Sequence, residues 1–218
     1  MTMKLIKVLT LLILSLIISP YSIAYGQEKP NVTVTTRFIY DIVKKITADI
    51  VSIELIIPAG SDPHLYTPLA GDLDKILNAD IILYHGFHFE AQMAEVLTDY
   101  GYAATENFDS DALIYVDGGQ DVDPHYWFNL DLYKQSVEEI TRVLTEEIPE
   151  NQELYHNNAQ RYLDELDELN QWAEERVGEL ALENRILVTP HDAFTYFAEA
   201  FDFQVYAPQG ISTQSEVS

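Results

Sequence analysis

Residues 150–182 carry no proline, and Gly178 is their only glycine. Tyr155, Ala159, Tyr162, Leu166, Leu169, Ala173, Val177 and Leu180 recur there at intervals of three and four, with acidic residues between them. That spacing predicts one amphipathic helix. At 1.5 Å per residue it would run roughly 50 Å, too long for a crossover inside one small domain. A coiled coil would show the same stripe. This stripe, however, lasts barely four heptads, and strand patterns resume after it. A rigid rod between two domains is the better reading.

On both sides of the rod the pattern is β-α-β. Residues 32–36, 51–57, 81–84 and 113–116 read as strands. Phe38, Ile39, Ile42, Val43 and Ile46 mark a first helix, Leu69, Leu73, Ile76 and Leu77 a second, and residues 90–97 a third. Asn129 is placed to cap a further helix running to about residue 145. Past the rod come a strand at residues 185–189, a helix at 193–201 and a strand at 203–206. The fold class is therefore α/β: two doubly wound lobes with mainly parallel sheets, joined by one long helix. The expected divisions are residues 27–148 for the first lobe, 149–182 for the connecting helix and 183–218 for the start of the second. Some 35 residues do not complete a sheet with helices on both faces, so the second lobe is expected to be incomplete here.

Residues 1–26 read as an address. Lys4 and Lys7 precede an apolar run at residues 8–18, Pro20 breaks it, and small residues at Ser22, Ala24 and Gly26 suit cleavage. The run is shorter than the about 20 apolar residues that span a bilayer. The mature protein is expected outside the cytoplasm, soluble and monomeric. The chain has no Cys, which removes thiolate metal sites and a lipid-modified Cys alike. Its 36 Asp and Glu outnumber 12 Lys and Arg, for a net charge of −24. Such a surface repels phosphate backbones, so nucleic acid is not an expected partner.

Without Cys, any metal must be held by His, Asp or Glu. Of six histidines, three share a context. His64 ends Gly60-Ser61-Asp62-Pro63-His64, His125 ends Asp121-Val122-Asp123-Pro124-His125, and His191 follows Thr189-Pro190. All three come after predicted strands, where ligands of open α/β sheets gather. Each also follows a proline, which stiffens the approach of the backbone. Asp-Pro is equally a common turn opener. The alternative role for each Asp is to orient the neighbouring imidazole. His85 and His88 are spaced i, i+3 in a glycine-containing loop and are candidates for an accessory site. His156 lies on the rod beside Asn157 and Asn158, where a solvated side chain is expected.

The ordered motifs Gly60-Ser61-Asp62-Pro63-His64, Gly86-Phe87-His88-Phe89-Glu90, Asp123-Pro124-His125-Tyr126-Trp127, Thr189-Pro190-His191-Asp192 and Gly210-Ile211-Ser212-Thr213 resemble the zinc/manganese solute-binding proteins of ABC importers, the ZnuA/TroA type. The resemblance covers residues 31–218. It implies two lobes with one divalent metal bound between them, His64 and His125 from the first and His191 from the second. It also implies a fourth ligand, a carboxylate, that is not in this chain, and delivery of the metal to a membrane permease. A His- and acid-rich loop common in zinc-specific members is missing from the first lobe. Manganese-preferring members often carry Glu at the position of His191, and imidazole favours zinc, so Zn²⁺ is expected over Mn²⁺. Three neutral imidazoles should release zinc below about pH 6.5.

Two rival readings have different chemistry. A zinc hydrolase also uses three ligands and water. It would be expected to show a His-Glu-x-x-His helix or a general-base Glu beside a ligand, and neither is present. A surface adhesin would need retention at the cell surface, which a cleaved, Cys-free chain does not provide.

Overall fold

The computed structural model describes residues 28–213 apart from Asp117. The expected signal peptide lies outside those residues, as do Gln214, Ser215 and Glu216, which continue the Gly210-Ile211-Ser212-Thr213 motif. The first lobe is built on β1 (Asn31–Val34), β2 (Ser52–Leu55), β3 (Ile81–Tyr84) and β4 (Tyr102–Ala103). They form one sheet in the order β2-β1-β3-β4, with every pairing parallel. The chain steps from β1 to β2 on one side, then crosses back past β1 to β3. The carboxyl ends of β1 and β3 therefore diverge at a switch point, the position where doubly wound sheets open a crevice.

Helix α1 (Arg37–Thr47) begins where the Thr36 hydroxyl accepts a hydrogen bond from the Ile39 amide, and it buries Ile39, Ile42, Val43 and Ile46. Helices α2 (Ala70–Leu77) and α3 (Ala94–Tyr100) connect the later strands. The expected helix at residues 90–97 starts late: Ala91 has φ 27°, and a short 3₁₀ turn, Ala91–Met93, precedes α3. A left-handed residue cannot continue an α-helix, so the regular turns begin only at Ala94.

Residues 115–116 do not extend the parallel sheet. Tyr115–Val116 (β5) pairs antiparallel with Asp121–Val122 (β6) in a separate two-stranded hairpin. Gly118 and Gly119 (φ 73° and 90°) make the reversal between them. Glycine adopts that region without Cβ strain, so the pair closes a hairpin where a crossover was expected.

Helix α4 (Leu130–Glu147) is capped by Asn129, whose side-chain oxygen accepts from the amides of Asp131 and Leu132. The rod is α5 (Gln152–Gly178), shorter than the pattern suggested. A 3₁₀ turn at Pro149–Asn151 precedes it and another at Leu182–Asn184 follows. Its buried residues, Tyr155, Asn158, Ala159 and Leu166, all lie in its first 15 residues, where it packs on α1 and α4. Leu169 and Trp172 farther along are exposed. Among the described residues, the helix buries no side chain after Leu166. Beyond it, β7 (Ile186–Val188), α6 (Thr195–Phe201) and β8 (Gln204–Tyr206) form one parallel β-α-β unit.

The core is continuous across the divide. Val32, Val34, Leu83, Leu132, Ile140, Leu144 and Tyr155 belong to one buried cluster, and Tyr196 of α6 belongs to it as well. Among the described residues, no helix is long and apolar enough to cross a membrane.

A candidate metal centre between the lobes

The two Asp-Pro-His triplets fold the same way. The Asp62 carboxylate accepts the His64 backbone amide at 3.0 Å, and the Asp123 carboxylate accepts that of His125 at 2.9 Å. Each is a side-chain-to-backbone turn closed over two residues. The intervening proline has no amide to compete and holds φ. Asp123 does more, because its Oδ1 also lies 2.7 Å from Nδ1 of His125. A carboxylate only accepts, so the ring proton sits on Nδ1 and the Nε2 lone pair is free to bind. The two roles weighed from the sequence, turn opener and imidazole orienter, are thus both played at Asp123.

His191 arrives differently. It follows β7, forms an isolated parallel bridge with Gln209, and its carbonyl accepts from the Thr189 hydroxyl at 2.8 Å. The Asp192 amide donates to the Gly210 carbonyl at 3.1 Å, which ties the loop to the last motif.

These three loops bring their rings together. Nε2 of His125 lies 3.2 Å from Nε2 of His64 and 3.3 Å from Nε2 of His191. One nitrogen from each ring lies within 4.8 Å of the other two, in the one such His/Asp/Glu cluster among the described residues. A tetrahedral zinc about 2.0–2.1 Å from each nitrogen would set them roughly 3.3–3.4 Å apart. The donor set and its spacing fit a borderline divalent cation. His64 and His125 are buried, and His191 is partly exposed.

Burial and the neighbouring imidazole of His125 hold His64 well below the ordinary range, at about 4. His191 is lowered by the same two causes, burial first. Both rings are therefore neutral at pH 7, the state that coordinates metal. The cluster opens into a cavity of about 660 Å³ walled by Phe38, Phe89, Trp127, Phe128 and Phe194. Apolar walls exclude competing water ligands and strengthen the electrostatic pull of the donors.

His85 and His88 do not join the cluster. His85 is buried with its Nε2 on the Pro124 carbonyl, and His88 is exposed at the mouth of the same loop. His156 is exposed on α5, as its neighbours suggested. Sequence reading missed Tyr196. Its hydroxyl donates to the Asp123 carbonyl at 3.2 Å and accepts from the Ile114 amide at 3.1 Å, so a second-lobe side chain fastens the first-lobe ligand loop. Nothing in its spacing on a seven-residue helix distinguishes it from an ordinary core aromatic.

The family model for the periplasmic component A of the zinc-uptake complex, ZnuA, matches residues 32–218. The manganese-binding lipoprotein MntA of Bacillus subtilis is 35% identical over 196 residues, covering 88% of this chain and 64% of its own length. The zinc-binding protein TroA of Treponema pallidum is 36% identical over 200 residues, covering 89% and 65%. The chain thus spans just under two thirds of these curated relatives. A crystal structure of that periplasmic TroA superposes with a TM-score of 0.83 at 36% identity, over 87% of this chain and 70% of that one. Another TroA structure reaches a TM-score of 0.85 at 45% identity, over 88% and 69%. With the fold, the ordered motifs and the family match in agreement, the chain belongs to the ZnuA family of periplasmic zinc-uptake components.

Proposed function

We propose that this protein is an extracytoplasmic solute-binding protein that captures one divalent metal ion, Zn²⁺ in preference to Mn²⁺, and hands it to an ABC-type permease. His64, His125 and His191 are the protein ligands, and the metal is cargo rather than a catalytic group. The observation that carries the reading is the meeting of three imidazole nitrogens from two lobes, at a spacing that suits tetrahedral zinc. Release then needs only that His191 part from the other two.

Zinc is favoured over manganese by the donors themselves, since neutral imidazole suits zinc and carboxylate-rich sets suit manganese. The manganese reading keeps one specific support, the 35% identity to a relative named for manganese binding. Binding rather than turnover is the activity, in line with the names of both relatives. Calorimetric titration of the metal-free 218-residue chain with Zn²⁺ and with Mn²⁺ tests this. One zinc bound more tightly than manganese is expected. Tighter manganese would reverse the selectivity, and no uptake of either would refute the reading.

A further inference from the structure

The backbone between β3 and α3 is contorted where it passes the metal centre. Phe87, His88 and Ala91 have φ of 50°, 56° and 27°. Left-handed conformations at non-glycine residues cost about 1–3 kcal/mol each and persist where surrounding contacts impose them. Here the contacts converge on Glu90. Its buried carboxylate accepts from the Thr35 hydroxyl at 2.5 Å and from the His85 amide at 2.6 Å. Thr35 follows β1 and His85 follows β3, so one side chain ties the two strand ends at the switch point.

Two rings are set by this arrangement. Phe89 packs edge-on against His64, with centroids 4.9 Å apart. His85 is wholly buried, stacked on Tyr126 at 4.4 Å and met edge-on by Phe38 and Trp127. Its Nε2 lies 2.9 Å from the carbonyl oxygen of Pro124, the residue immediately before His125. A carbonyl only accepts, so this nitrogen carries the proton and donates. Nδ1 of the same ring has no hydrogen-bond partner among the described residues. A hydrocarbon ring would avoid the about 1–3 kcal/mol that a buried unsatisfied nitrogen costs. What imidazole adds at this position is the donation to Pro124.

We propose that His85 is a positioning residue of the metal centre: its Nε2–H fixes the Pro124 carbonyl and thereby the angle at which the His125 ring meets the cation. This rests on the reading of His64, His125 and His191 as the metal ligands. It also gives His85 a role other than that of an accessory ligand, since its Nε2 donates to Pro124 and its ring is not part of the three-histidine cluster. Asp123 holds the His125 ring from one side of the peptide chain, and His85 holds the chain itself.

The test uses the full 218-residue chain as parent, His85→Phe, His85→Gln and His85→Ser. Zinc affinity is measured by competition with a chelating dye, the visible spectrum of the Co²⁺ form reports ligand geometry, and thermal unfolding without metal reports stability. His85→Phe keeps the ring stack and loses the donor. It should bind zinc about 10-fold more weakly, the lower end of the range for groups that support metal ligands, with an altered Co²⁺ spectrum. His85→Gln, whose amide nitrogen lies about where the imidazole Nε2 does, should recover most of the affinity. Unchanged affinity in His85→Phe overturns the proposal, as does weakening that tracks lost stability with a parental Co²⁺ spectrum. If His85→Phe does not fold, Gln against Ser decides, because serine is too short to donate; equal affinities there overturn it too. A parent that takes up neither zinc nor cobalt sinks the metal reading itself, and this inference with it. Parental binding with an unaffected His85→Phe sinks this inference alone.

Discussion

The two sides of the candidate metal centre rest on unequal amounts of fold in the described residues. His64 and His125 stand on a four-stranded parallel sheet and its helices, their amides locked by Asp62 and Asp123, their rings buried against Phe89 and Trp127. His191 stands on a two-stranded unit whose strand residues Ile186 and Val188 are exposed, and its ring is itself part-exposed. One buried phenol, Tyr196, fastens that unit to the ligand loop of the first lobe. Among the described residues, a buried pair of donors faces a third donor that is part-exposed.

The contrast can be broken by substitution. His125→Ala should cause the largest loss, since its Nε2 is near both partners. Zinc affinity should fall by more than about 100-fold, beyond the 10–100-fold typical of supporting residues. His191→Ala should cost less than His64→Ala in the same dye-competition assay. The reverse order would mean that the second lobe, not the first, defines the site.

Acid sharpens the comparison next. The pKa of His64 is about 4 in the fold, below the ordinary imidazole value of about 6.5. The unfolded chain therefore takes up a proton that the fold resists. Stability is complete above pH 6.5 and lost progressively as pH falls from there toward 4. His191 shifts in the same direction. The thermal midpoint of the metal-free protein should drop across that window, and His64→Ala should flatten the drop. The same depression corrects the release point expected from free imidazole. Protons compete for His64 and His191 only below the usual range, so zinc should be retained further into acid than pH 6.5.

Tyr196→Phe comes third. It leaves the Ile114 amide without its partner and frees the Asp123 carbonyl. A loss of about 1–3 kcal/mol in stability is expected by denaturant titration, with a smaller effect on zinc than His191→Ala. His156→Ala, on the exposed face of α5, should change neither quantity measurably.

What could be read in advance was local. The Asp-Pro-His triplets stand out because their turn closes within three residues, α1 and α5 show in the apolar spacing that includes Ile39 and Tyr155, and α4 shows in the cap at Asn129. The hairpin of β5 and β6 was also legible in Gly118-Gly119, a strong turn dipeptide, but a strand at residues 113–116 was assigned to the sheet instead. What could not be read was set by distance along the chain. Glu90 meets Thr35 across 55 residues, and Tyr196 meets Ile114 and Asp123 across 82 and 73. No periodicity encodes such pairs, since only the finished topology brings them into contact.

The repeated turn also bears on how tightly an ion can be held. A flexible loop that must freeze around its ligand gives back about 1–2 kcal/mol for every backbone residue it orders. Asp62 and Asp123 have already frozen the amides of His64 and His125, with a proline between them that was stiff even in the unfolded chain. That ordering entropy is spent during folding, long before the cation arrives. If His64 and His125 hold the cation as proposed, they meet it with their backbone already ordered, and that ordering entropy does not subtract from affinity.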